Sequence, residues 1–416
     1  MDASSSGEIN GLILLALKLA YLFIIVTLPI YLAQAFWENW VKYVRAAFFA
    51  KQKYVTLELR IPKGITKSPL AMEVFITSLF QPGGEGDNIT KYWEGSVRSW
   101  FSLEIVSIDG SVRFFIWSKE KFKDMIETQL YSQFPDIEIL DVTDKDYAKT
   151  TPFDPENYQY WGCEFVKTGP SHLPIKTYTD YGLADDQKEE YKVDPITPVL
   201  EFLGSLRKGE QAWIQICIRA HGKDKTKPGT WFEKVDWKFD ANEDIKKRTK
   251  RDVKIDKEKP MNPNLMQLTK GERDAVDAIE RSLSKIPFDC GIRAIYVAKA
   301  NSFRGTTQAA ISGAFRQFGS QNLNGFKADK APGVKYPWQD RSGQQVLGQK
   351  KKLFNRYKAR AFFYDEFIPV GYKGSTFVMN TEELATVYHF PGDVSKTPTL
   401  SRVVAKKVEP PANLPI

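Results

Sequence analysis

The apolar positions of this chain follow three patterns: one unbroken run, short alternating stretches, and stripes of helical spacing. The run is GLILLALKLAYLFIIVTLPIYLAQAF, Gly11 to Phe36, and its one charge is Lys18. As a helix of about 26 residues rising 1.5 Å each it covers about 39 Å, enough to cross a bilayer. Pro29 predicts a kink of the kind membrane helices tolerate. Trp37 and Trp40 fall where an interfacial aromatic belt belongs. A cleaved signal peptide competes with this reading, because Ala33-Gln34-Ala35 has the small-x-small form of a processing site. The run is long for such a peptide, however, and the preceding MDASSSGEIN has no basic residue.

Beyond residue 53 the pattern alternates between periods. VTLELRIP (Val55 to Pro62) reads as a strand, PLAMEVFITSLF (Pro69 to Phe80) as an amphipathic helix, and Ser99 to Ser118 as a hairpin turning at Asp109-Gly110. KEKFKDMIETQLYSQF is a helix ended by Pro135, and Ile137 to Val142 a last strand. The order β-α-β-β-α-β predicts a ferredoxin-like split βαβ unit over residues 54–150. After the connector TTPFDPENYQYW, a helix within Asp194 to Gly209 runs into the strand Gln211 to Ala220, so a duplicated unit is expected over 151–376. A charged insertion at about 221–269 interrupts it, as an exposed excursion or a solvated helix. The helix KGERDAVDAIERSLSKI, the strand CGIRAIYVAKA and a helix in FRGTTQAAISGAFRQF follow. Residues from Gln321 to about Lys352 read as loop, and ARAFFYDEF as a late strand. The fold class expected is α+β, one transmembrane helix (11–37) followed by two ferredoxin-like units.

The end of the chain, 377–416, reads as a short helix and a proline-punctuated tail. Asn380 can cap the helix with Glu383 three residues on, Leu384 and Tyr388 share its apolar face, and Pro391 stops it. Val403, Val404 and Val408, flanked by Pro410 and Pro411, are apolar anchors in an extended segment too short for its own core. All ten residues are therefore candidates for docking a partner.

Charge adds an orientation. Lys42, Arg45, Lys51 and Lys53 follow the apolar run and no Lys or Arg precedes it, so the positive-inside rule puts residues after about 40 in the cytoplasm. The juxtamembrane stretch 38–53, basic and aromatic, either lies along the anionic leaflet or continues the helix. Three cysteines, Cys163, Cys217 and Cys290, stand far apart, as expected of reduced core residues. The net charge is +8, unevenly spread. Two stretches are basic: Ile245 to Lys254, and Gly348 to Arg360. In the second, Lys350, Lys351, Lys352, Arg356, Lys358 and Arg360 are candidate phosphate contacts, with Phe354 and Tyr357 interleaved for base stacking. A solvated charged surface explains both as well.

Catalytic constellations are missing from the sequence. G-x-x-x-x-G-K-[ST] does not occur, nor a G-x-S-x-G elbow or an H-E-x-x-H helix, and His172, His221 and His389 are isolated. No catalytic residue, cofactor or metal is assigned.

Four blocks carry a resemblance: Phe377 to Pro415 (with NTEELATVYHFPGD and TPTLSRVVAKKVEPPANLP), LEIVSIDGSVRFFIW with QLYSQFPDIEILDV, DPITPVLEFLGSLRKGEQAWIQICI, and FRGTTQAAISGAFRQFGSQNLNGF. In order, they resemble the uncharacterised N-terminal region of a family of large bacterial membrane proteins. In that family the last block leads into a DNA-pumping ATPase similar to type IV secretion coupling proteins and the HerA and FtsK class. Here the sequence stops at Ile416. The resemblance implies a separate hexameric P-loop ATPase as partner, beside the lipid bilayer, with DNA and further copies of the chain as other partners. The expected function is a membrane-anchored, non-enzymatic platform for that motor; the alternative is a membrane-tethered nucleic-acid-binding protein that acts without one.

Overall fold

The computed structural model describes residues 3–62, 67–184, 193–222, 225–226, 234–249, 268–364, 375–392 and 402–403. Two compact units emerge: Met1–Gln52 with Gly84–Val97, and Lys53–Gly83 with Arg98–Ile416.

The first unit is built on helix α1 (Ala3–Ala50), which runs through Pro29 without interruption. From Leu14 to Ala50 it is long and apolar enough to cross a membrane, with a mean hydropathy of 2.1 in its most apolar window and none of that window buried.

The second unit is a mixed α/β fold. It opens with β1 (Tyr54–Pro62) and α2 (Pro69–Ser78), where the chain leaves for the short helix α3 (Asn88–Tyr92) of the first unit. It resumes with β2 (Trp100–Ile108), β3 (Ser111–Lys119), α4 (Lys123–Gln133), β4 (Glu138–Asp141) and α5 (Tyr147–Thr150). Next come β5 (Tyr158–Lys167), α6 (Thr197–Gly204), β6 (Glu210–Ala220), the two-residue pair β7 (Lys225–Thr226) and β8 (Lys234–Val235), and α7 (Trp237–Thr249). The rest is α8 (Lys270–Leu283), β9 (Pro287–Lys299), α9 (Gly305–Ala314), β10 (Phe326–Asp329), α10 (Gln344–Lys358), β11 (Phe377–Asn380), α11 (Thr381–Val387) and β12 (Arg402–Val403).

Ten strands form one sheet, in the order β10-β5-β9-β6-β2-β3-β1-β12, with β4 also on β1 and β11 also on β9. One half runs β4-β1-β3-β2 and the other β10-β5-β9-β6, every neighbouring pair antiparallel. The halves fuse through β2 and β6, which pair from Trp100↔Arg219 to Ile108↔Gln211. The β2–β3 turn is as the sequence predicts: Asp109 and Gly110 take φ of 54° and 84°, the pair of positive values a two-residue hairpin turn demands.

Alternation along the strands sorts the side chains. Val55, Leu57 and Leu59 of β1, Phe101 and Leu103 of β2, and Ile214 and Ile216 of β6 face the main core, closed by α2, α4, α6, α9 and α11. On the opposite face Phe115, Tyr160, Trp213, Ile295 and Val297 pack under α5 and α10.

Several expectations need correction. The connector TTPFDPENYQYW already contains the start of β5, hidden by its polar residues. The span expected as loop holds β10 and the first part of α10, a helix on which Lys351 and Lys352 are exposed while Leu353, Phe354 and Tyr357 are buried. Ala359 to Tyr364 is irregular, not a strand; it is spent on side-chain contacts under the sheet. Of the charged insertion, 223–224, 227–233 and 250–267, with the end of the basic stretch Ile245 to Lys254, lie outside the described residues; its described part includes the helix α7, whose Trp237, Ala241 and Ile245 pack on Val276 and Ile279 of α8.

Candidate functional site

The most concentrated polar chemistry lies on the second face of the sheet. There Glu104 of β2, Gln215 of β6, Arg293 of β9 and Glu164 of β5 stand opposite one another in register. All four are buried. A row of polar groups in the middle of a sheet is costly unless something supplies partners. The segment Arg356 to Phe362 supplies them.

Arg360 is its centre. Nε and Nη2 donate to the two Glu104 oxygens at 3.0 and 3.2 Å, and Nη1 and Nη2 donate to the two Asp146 oxygens at 2.7 and 3.0 Å. One planar fork thus serves two carboxylates. Asp146 also accepts from Thr56 Oγ1 at 3.1 Å and caps α5 by accepting from Ala148 N at 2.9 Å. Glu104 accepts in addition from Ser102 Oγ, Tyr147 Oη and Gln215 Nε2 at 2.7, 2.6 and 3.0 Å. Burial acts to raise the Asp146 pKa, but the Arg360 charge and hydrogen bonds outweigh it and hold the carboxyl below its ordinary value. Burial likewise opposes the charge on Arg360, and Glu104 and Asp146 overcome it, pushing the guanidinium well above its usual range. Arg356 Nη1 approaches Glu164 at 3.9 Å; Arg293 donates to the Ala361 carbonyl at 2.7 Å and lies 4.3 Å from the Phe362 ring.

A second network surrounds α11. Glu383 closes the expected capping box: its backbone N–H donates to Asn380 Oδ1 at 2.8 Å, and its carboxylate accepts from Asn380 N at 2.9 Å, Lys167 Nζ at 2.7 Å and Ile175 N at 3.0 Å. Glu382 meets Thr177 Oγ1 at 2.5 Å and Arg281 Nε at 3.1 Å. Glu73 of α2 binds Lys285 Nζ, Tyr178 Oη and Thr381 Oγ1 at 2.7, 2.6 and 3.1 Å. His389 pairs with Asp194 at 2.9 Å. The three histidines isolated in sequence are thus each packed on an aspartate, the others being His172 on Asp244 at 3.1 Å and His221 on Asp289 at 2.6 Å. With separations of 195, 72 and 68 residues, no local spacing signals these pairs.

The candidate residues fall into three groups. Arg356 and Arg360 are buried in ion pairs, and Phe354 and Tyr357 are core, so neither phosphate contact nor base stacking is open to them. A helix of which one side must cover the sheet turns half of its basic run inward. Lys351 and Lys352 are exposed and Lys350 half-buried, while Lys358 Nζ donates to the Thr151 carbonyl at 3.1 Å. Asn380, Glu383, Leu384, Tyr388 and Pro391 are also buried, and a partner meeting the folded chain does not touch them. Arg402–Val403 pairs in parallel with Ile61 and Pro62 of β1. Val404, Val408, Pro410 and Pro411 lie outside the described residues.

Two open features remain. A cavity of about 900 Å³ is bounded by β1, β3 and the loop after β4, with Glu58, Arg60, Arg113, Asp141, Lys145 and Tyr147 among its lining residues. Glu58 lies 3.9 Å from both Arg60 and Arg113. Burial above all, then the Glu104 charge, raises the Tyr147 pKa well above the ordinary phenol. Beside the N-terminal half of α10, the exposed rings of Tyr336 and Trp338 stack at 4.5 Å and 6°. Gly333 N, in the same segment, donates to Gln349 Oε1 at 2.8 Å. Sequence reasoning missed this aromatic pair because it lay in a stretch read as loop. Among the described residues no group of three or more His, Cys, Asp or Glu could hold a metal ion.

A family model described as a domain of unknown function, DUF8128, matches residues 49–403. No curated protein matches the chain.

Proposed function

The chain belongs to the DUF8128 family, and we propose that it is a membrane-anchored, non-enzymatic platform serving a separate DNA-translocating ATPase of a type IV secretion or conjugation-like system. The observation that carries the anchor is α1: Leu17, Leu22, Phe23, Ile24 and Ile30 are each more than half exposed, and among the described residues none of the helix's most apolar window is buried. Each such side chain left in water forgoes about 1.5–3 kcal/mol, which a bilayer restores. The basic flank Lys42, Arg45 and Lys51 favours a cytoplasmic second unit; the bacterial inner membrane as its place rests on the sequence resemblance.

The finer fold reading is a pair of ferredoxin-like units fused edge to edge. Its support is the repeated strand order, β4-β1-β3-β2 and β10-β5-β9-β6, each with its helices on the main-core face. The platform role rests on the burial of the strongest ionic chemistry as structural glue. The motor as partner rests on the sequence resemblance alone. Capture of the full-length protein from detergent-solubilised membranes tests it: a hexameric P-loop ATPase should be recovered with it. Recovery of the chain without any such ATPase, under conditions that keep α1 solubilised, overturns the partner.

A second reading, nucleic-acid binding without a motor, is favoured by one observation. Lys351 and Lys352 are exposed on α10, and the exposed Tyr336–Trp338 stack, with Lys335 Nζ 5.3 Å from the Tyr336 ring, lies in the segment that leads into that helix; exposed cations and aromatic faces suit single strands. DNA binding by the full-length protein that weakens steeply with salt, and that is lost in Trp338→Ala, supports it; salt-independent or absent binding removes it.

A further inference from the structure

We infer that the segment 84–97, which leaves the sheet domain to join the anchor helix, is a second membrane contact that seats Ile89 and Trp93 in the headgroup layer. The inference rests on the reading of α1 as a membrane anchor.

The segment is fastened to α1 where the apolar run ends. Trp40 Nε1 donates to the Tyr92 carbonyl at 3.1 Å, the rings of Trp37 and Tyr92 lie 5.4 Å apart, and those of Trp40 and Trp93 lie 5.3 Å apart. Gly95 comes so close that a Cβ there would sit 2.4 Å from the Val44 carbonyl oxygen. The short helix α3 is set by its own cap, Thr90 N donating to Asp87 Oδ1 at 2.7 Å. Fixed in this way, α3 turns two large apolar side chains at i and i+4 outward, Ile89 at 67% and Trp93 at 66% exposure. Trp93 packs on Trp40, whose ring lies 6.5 Å from that of exposed Phe36 and 6.2 Å from that of exposed Tyr43.

The occupant follows from position and composition. This patch is continuous with the uncovered apolar surface of α1, so whatever covers that helix reaches the patch as well. It is rich in Trp and Tyr, the residues that favour the membrane–water boundary, and Lys42, Arg45 and Lys91 stand on the same elements. The chain thus meets the bilayer with a helix and a side wedge, which fixes rotation of the anchor about its axis as a lone helix cannot.

The test is depth-dependent quenching. Ile89→Cys and, separately, Leu22→Cys are introduced into the full-length protein and labelled with an environment-sensitive fluorophore; the three native cysteines are buried. Each protein is reconstituted in phosphatidylcholine–phosphatidylglycerol nanodiscs with or without spin-labelled lipid, the spin label near the acyl-chain end for position 22 and near the headgroup for position 89. The Ile89 label should be blue-shifted and lose much of its emission to the headgroup-labelled lipid. A water-like, unquenched label at 89 beside a quenched label at 22 overturns the side wedge while sparing the anchor, and points to a protein partner for the patch. Absence of quenching at both positions overturns both. Trp93→Ser should lower quenching at 89 without altering it at 22; unchanged quenching at 89 means that Ile89 reaches lipid without the wedge, and counts against the inference.

Discussion

Lys167 Nζ lies 2.7 Å from Glu383 Oε1, each side chain 2% exposed, joining the end of β5 to the first turn of α11 across 216 residues of sequence. The pair makes the C-terminal helix part of the interior. Removing one member leaves the other charged and unpaired in a dry site. Lys167→Met or Glu383→Leu alone should therefore cost about 3–5 kcal/mol, measured by urea denaturation in detergent. The double substitution should cost clearly less than the sum, since no orphan charge remains. Strict additivity would contradict the pairing.

The same placement sets where the chain can be cut. A protein ending after Gly392 keeps α11 and loses the β12 pairing with β1. It should retain a cooperative thermal transition. A protein ending after Ser375 loses Tyr388, Leu384 and the Glu382 and Glu383 pairs from the core and should show none. Equal behaviour of the two would show that α11 is peripheral.

Arg360 offers a sharper geometric test. Its fork spans Glu104 and Asp146 at 3.0 and 2.7 Å, and a single ammonium cannot make both bidentate contacts. Arg360→Lys should thus destabilise by about 3 kcal/mol although charge is kept. It should leave any DNA affinity unchanged, because the side chain is buried. By contrast, the triple Lys350, Lys351 and Lys352 to Ala change should preserve stability and, if this surface meets nucleic acid, lower the slope of log affinity against log salt by about 0.7 per lost phosphate contact.

Acid should unfold the domain through a small set of carboxylates. Burial raises the pKa values of Asp146, Asp194 and Asp289, but Arg360, His389, and His221 with Arg219, respectively, bring each below the ordinary aspartate value. With folded values below the unfolded value of about 3.9, their stabilisation is in full above that pH. It is lost as pH falls through the depressed folded values. Thermal midpoints should therefore hold on the acid side until about pH 4 and then drop. Asp194→Asn should start lower at neutral pH and show a shallower acid limb; an unchanged limb would remove Asp194 from the set.

Cys163, Cys217 and Cys290 are free and buried. Burial pushes the thiols of Cys163 and Cys217 up to about 12 and that of Cys290 well above its ordinary value. Since the thiolate is the reactive form, an aromatic disulfide reagent at pH 8 should titrate none of them until urea unfolds the domain. Rapid labelling of the native protein would place a cysteine at the surface.

What the sequence by itself determined is what depends on near neighbours. The apolar run of α1, the alternation in β1, β2 and β6, the positive-φ turn at Asp109-Gly110 and the Asn380–Glu383 capping box each involve residues a few positions apart, and all were legible. The tertiary structure alone decided which charges are surface and which are glue. Lys351 and Arg360 belong to one basic stretch, yet the first is exposed and the second is buried between Glu104 and Asp146, because α10 must cover the sheet with one side. α11 read as a docking element because its partners, Lys167, Thr177 and Arg281, come from distant segments. The fusion of β2 with β6 was hidden for the same reason: register between remote strands is set by packing of the whole sheet, and no local pattern encodes it.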